Sequence, residues 1–126
     1  MSFEASLKTW LPAACPSVSG RISANAASQD VKTPYLVYQR ISSPRGYTHD
    51  GPDGSVEARF QFSFCSEILA GAIAAAEELR LVLSGFKGTL GTHEVGHAFI
   101  DNEVDLYDPD TEIHQVIVDY LIGYIE

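Results

Sequence analysis

Residues 66–86, SEILAGAIAAAEELRLVLSGF, limit most strongly what this chain can fold into. Ile68, Leu69, Ala72, Ala75, Ala76, Leu79, Val82, Leu83 and Phe86 recur at i, i+3 and i+4, so the run predicts one amphipathic helix with a broad apolar face. Ser66 is placed to cap its N-terminus, Glu67 suits the positive end of the helix dipole, and Gly85 suits a left-handed stop. In that stop Phe86 folds back toward Leu81. The opposite side carries Ala70, Gly71, Ala74 and Glu77, small enough for another surface to approach closely. Such a helix needs a sheet to cover, and the flanking sequence supplies strands on both sides.

Residues 56–65 alternate cleanly. Ala58, Phe60, Phe62 and Phe64 form one row, and Glu57, Arg59, Gln61 and Ser63 the other, which predicts a strand with one face on the helix. Residues 35–41, YLVYQRI, are β-branched and aromatic enough for a partner strand. Between them, SSPRGYTHDGPDGS over residues 42–55 is dense in turn formers and predicts a long exposed hairpin tip. After the helix, KGTLGT over residues 87–92 reads as a loop. Residues 93–105 read as extended and are followed by a turn at Asp108–Asp110. Residues 113–124 are apolar on both faces, which suits a central strand or an interface.

At the N-terminus, residues 2–11 predict a short helix with Phe3, Leu7, Trp10 and Leu11 on one face and Ser2 as cap. Pro12 and Pro16 discourage continuation. Residues 15–34 predict a long connection with a short extended piece near Arg21 and Ile22. The expected architecture is one α+β domain over residues 1–126, an antiparallel sheet of about four strands with two helices packed on one face.

The chain has 126 residues and a formal net charge of −9. That balance argues against a wrapped nucleic-acid grip, which needs clustered Lys and Arg. Cys15 and Cys65 are too few for a disulfide framework, and MSFEASLKTW lacks a signal-peptide pattern, so free thiols in a reducing cytoplasm are expected. Glu77, Glu78 and Arg80 interrupt the best candidate for a membrane span.

Two constellations carry possible chemistry. His93-Glu94-Val95-Gly96-His97 fits H-E-x-x-H, in which a helix places two histidines on a zinc ion and a glutamate beside its water. The approach GTLGT and the internal Gly96 are poor helix formers. On a strand the two histidines would share a face and Glu94 would point away. The second constellation is acidic: Asp101, Glu103, Asp105, Asp108, Asp110 and Glu112. An EF-hand register fails at Leu106, where the sharp turn needs glycine, so a solvated acidic hairpin is expected. No catalytic, metal or cofactor residue is assigned.

The run PYLVYQRIS over residues 34–42, the turn-rich tip, EARFQFSFCSE entering a helix that ends LRLVLSGFKG, and the distal DNEVDLYDPDTEIHQVIVDYLIGY together resemble the tail-completion family of long-tailed phages and prophages. This family includes tail-terminator and tail-to-head joining proteins. The resemblance implies a non-enzymatic structural protein of the virion tail, assembled in the host bacterial cytoplasm. It implies a ring, commonly of six subunits, that caps the tail tube, ends its polymerisation and joins the head, with DNA only in passage through the lumen. The implied partners are further copies of this chain, the tail-tube protein and head–tail connector proteins, with no membrane. A ring needs two different complementary patches on one chain. The expected interface residues are Tyr47, His49, Asp50 and Asp53 in the tip, Arg59 and Gln61 on the strand, and Asp101, Glu103 and Asp105 in the acidic run. A small zinc metallohydrolase using His93, Glu94 and His97 is the rival reading, and a generic cytoplasmic binding module is a third.

Overall fold

A computed structural model describes residues 2–18, 21–24, 34–49 and 51–125, apart from the side chain of Pro52. The order of elements is α1 (Phe3–Ala14), a 3-10 turn (Pro16–Val18), β1 (Ile22–Ala24), β2 (Tyr35–Ser42), β3 (Arg45–Thr48), β4 (Gly51–Ser66), α2 (Leu69–Leu83), β5 (Gly88–Leu90), β6 (His93–Asp108) and β7 (Ile113–Ile125). The class is α+β with two helices on one face, as the sequence predicts. Among the described residues, however, the sheet has seven strands and not about four, ordered β1-β2-β4-β7-β6-β5 with β3 continuing along β4. Its pairs are antiparallel except β1 with β2, which is parallel. The extra strands come from stretches rich in turn residues whose backbone groups pair with a neighbour. Composition alone assigned those stretches to loops.

The core is the layer between sheet and helices. Phe60, Phe62 and Phe64 of β4, with Val116, Val118, Tyr120, Ile122 and Tyr124 of β7, turn one face toward α1 and α2 and are buried. From the helices, Phe3, Leu7 and Leu11 meet Ala72, Ala75, Ala76, Leu79 and Leu83 over that face. Each fully buried Leu or Phe contributes about 1.5–3 kcal/mol relative to exposure, which makes this layer the main source of stability. The opposite face of the sheet has no helix over it among the described residues.

α2 is shorter than the predicted span because β4 runs on through Ser66, which pairs with His114. Ser66 therefore does not cap the helix. Its hydroxyl accepts from the Ile68 N–H at 3.2 Å, and Ile68 stands at the N-cap with no side-chain cap. Ala72, Ala75, Ala76, Leu79 and Leu83 face the sheet, while Ile68, Leu69 and Val82 of the predicted apolar face are exposed, as are Ala70 and Ala74 on the other side. Gly85 does adopt a left-handed backbone, φ 78°, but Phe86 packs on Trp10 at 5.8 Å between ring centroids, and Leu81 is exposed.

α1 continues past Pro12 to Ala14, three residues beyond the predicted stop. The extension buries Ala14 and Cys15, and the Cys15 N–H reaches the Leu11 carbonyl at 2.8 Å. Ser2 caps the helix as expected, its hydroxyl accepting from the Ala5 N–H at 3.2 Å.

Candidate interface surfaces

The two long hairpins of the sheet project from opposite ends. β4 pairs with β7 from Ser55, opposite Ile125, to Ser66, opposite His114, next to the β6–β7 turn. The β3–β4 arm therefore extends from one pole and the β6–β7 hairpin from the other.

The arm is more ordered than a hairpin tip of turn residues suggests. Arg45 pairs with Val56, Tyr47 with Pro52, and Thr48 with Gly51, so only residues 49 and 50 lie between the paired strands. The Thr48 hydroxyl donates to the Gly51 carbonyl at 3.2 Å. Asp53 accepts from the Ser55 N–H at 2.9 Å and the Ser55 hydroxyl at 2.7 Å, and these bonds hold its carboxyl below the ordinary range. That turn leans over Gly46, where any Cβ would collide with Asp53 and Ser55. Tyr47 and His49 are exposed on the arm; Asp50 lies outside the described residues.

Arg59 and Asp101 meet on the uncovered face of the sheet, to which Gln61 also belongs. Asp101 is the extra residue of a bulge between Ile100 and Asn102, and the bulge brings its carboxylate to 2.5 Å from the Arg59 guanidinium. Asp119 lies 3.4 Å from the same guanidinium. The Gln39 amide donates to Gln61 at 3.3 Å. Glu103 and Asp105 do not join this group. They stand opposite Val118 and Val116 and so turn to the helix side. The predicted interface residues thus fall on three surfaces and do not form one patch.

A second bulge decides the H-E-x-x-H question. Val95 stands opposite Tyr124 but His97 opposite Gly123, so Gly96 is an unpaired insertion. The two histidines consequently face opposite sides of the sheet, contrary to the shared face that simple alternation predicts. His93 lies on the helix side, edge-on to Phe3 and Tyr124 at 5.7 Å. His97 lies on the uncovered side, stacked on Phe99 at 4.8 Å, with Nε2 3.8 Å from Glu57. Its ring occupies the place a Cβ on Gly123 would take. Among the described residues no three His, Cys, Asp or Glu side chains are grouped to hold a metal ion. Zinc hydrolysis through His93, Glu94 and His97 has no geometric basis here.

One surface escaped the sequence reading. Between α2 and the β6–β7 pair lies a recess of about 370 Å³, walled by Ile73, Ala76, Glu77 and Arg80 on the helix and by Glu103 and Asp105 on β6. Tyr120 lies beneath it, fully buried, and its hydroxyl has no hydrogen-bond partner among the described residues. Burial, chiefly, and the nearby Glu103 raise its pKa, partly offset by Arg80. In the sequence Tyr120 is only one more residue of the apolar run 113–124.

Residues 9–125 match the family model of Tail completion protein gp17. The chain belongs to that family. The tail-completion match covers all the strands and both projecting hairpins, and it starts within α1. Among solved structures, a chain in the virion of a native gene transfer agent (GTA) particle is similar with a TM-score of 0.71 and 12% identity, over 98% of this chain and 91% of that one. At that identity the likeness shows a shared fold. No curated protein sequence matches significantly.

Proposed function

We propose that the protein is a structural, non-enzymatic subunit of a phage or prophage tail, acting as one domain that closes the tail tube as a ring and offers the surface to which the head joins. The observation that carries this reading is the tail-completion match across residues 9–125. The shape supports it. A ring requires two different patches that meet and close, and this chain has two projecting hairpins at opposite poles. Tyr47 and Leu106, on the two hairpins, are at least half exposed, as contact residues are before assembly. The acidic body suits a lumen through which DNA passes without adhering.

In this reading the arm residues Tyr47, His49 and Asp53 contact a neighbouring copy, and Arg59, Gln61 and Asp101 line a second contact on the uncovered sheet face. The tail-tube protein and the head–tail connector are the axial partners. The location is the virion tail, reached after assembly in the host cytoplasm. Native mass spectrometry with and without tail-tube protein tests it. A closed oligomer, six subunits being the expected number, supports the ring; a chain that stays monomeric with tube protein present refutes it.

A further inference from the structure

The recess under α2 combines three features that no contact among the described residues explains. First, the Tyr120 hydroxyl is buried without a partner among the described residues. Native structures seldom leave such a group unpaired. Second, Glu103 and Asp105 form no ion pair among the described residues, whereas Arg80 is already engaged by Glu77 at 3.3 Å. The recess is therefore net negative. Third, β6 pairs with β5 only through residues 93–95, and the Gly85 N–H takes the Ala98 carbonyl. Among the described residues, no strand borders the outer edge of β6 from residue 99 to 108.

We propose that this edge and recess together receive an extended, cationic segment of a partner protein, added as an eighth strand beside β6. The spacing specifies the segment. Glu103 and Asp105 are two residues apart and point into the recess, so a strand with Lys or Arg at every second position meets both. Val104 and Leu106 alternate with them on the other face and are exposed. The complementary strand is therefore cationic on one face and apolar on the other, and a polar group that enters the recess pairs with the Tyr120 hydroxyl. A second copy of this chain presenting the same edge is disfavoured, because it would set Glu103 and Asp105 against like charges. Strand addition of this kind draws affinity from backbone hydrogen bonds and selectivity from the alternate side chains.

The test uses the full chain, isotope-labelled, titrated with the peptide Ac-VKVKVK-NH2 and followed by amide chemical shifts. The expected result is saturable change confined to residues 99–108 and 73–80, weakening as salt rises. Glu103→Lys with Asp105→Lys, both at exposed positions, is expected to weaken binding at least tenfold. Tyr120→Phe is expected to weaken it about fivefold, the scale of one hydrogen bond, while leaving the folding midpoint unchanged or higher. A merely structural Tyr120 would not separate those two readouts. The proposal is overturned by absence of binding, by shifts elsewhere, by equal binding of Ac-VEVEVE-NH2, or by spermidine or Mg²⁺ reproducing the same shifts at the same concentration. The ring reading is judged separately by mass, so either can fail alone.

Discussion

Close approach at one glycine shows how tightly residue identity is set. The His97 ring lies over Gly123 and stacks on Phe99, so Gly123→Ala forces the ring aside. Overpacking of this kind costs about 1–3 kcal/mol, and urea denaturation should show a loss of that size, smaller when His97→Ala is combined with it. Cys15 is buried, and burial, with Glu78 nearby, pushes its thiol up to about 12 from 9.0. The folded chain therefore keeps this proton between pH 9 and 12 while the unfolded chain releases it. Stability from this group is whole below pH 9 and declines as pH rises toward 12, by up to about 1.4 kcal/mol per pH unit. Cys15→Ala should make the alkaline decline of the urea midpoint shallower. Cys65, raised chiefly by burial, shares the sign, so neither thiol should react with a thiol reagent before unfolding.

Among the elements, α1 tolerates a residue that opposes it. Pro12 has no N–H and sits inside the helix, a cost of about 3 kcal/mol relative to alanine in a helix interior. Burial of Leu11, Ala14 and Cys15 outweighs it. Pro12→Ala should raise stability by about 2 kcal/mol, since the unfolded chain regains part of the entropy proline removes; thermal and urea midpoints would show it, and a fall in both would contradict this account. α2 was legible because alanine, leucine and glutamate spacing is a local signal, and so was β4, where phenylalanine alternates with polar residues. The N-terminal boundary of α2 was not legible. Ser66 has the chemistry of a cap, but cross-strand pairing with His114 claims its backbone for the sheet. The bulge at Gly96 left one trace in the sequence, a glycine inside a strand pattern, yet its consequence for His93 and His97 depends on the register of β7.

On the scale of the whole molecule, the hairpin at one pole carries a series of acidic side chains at short spacing. Asp101, Glu103, Asp105, Asp108, Asp110 and Glu112 fall within the β6–β7 hairpin, and residues 101–112 are exposed throughout. The other pole carries the arm. Removing residues 47–53 should leave the thermal midpoint of the body nearly unchanged, because the core residues lie elsewhere, and should prevent the closed oligomer proposed above from appearing in native mass spectra. Persistence of the oligomer would exclude the arm as a contact. The sequence by itself determined which rows of side chains are apolar, and hence two helices on one face of a sheet, because 3.6- and 2-residue periods are properties of a short stretch of chain. Only the tertiary structure decided that the described residues form seven strands, that His93 and His97 face apart, and that the Tyr120 hydroxyl has no hydrogen-bond partner among the described residues. Those outcomes follow from register, bulges and edges, which are set by residues distant in the chain and have no local period to read.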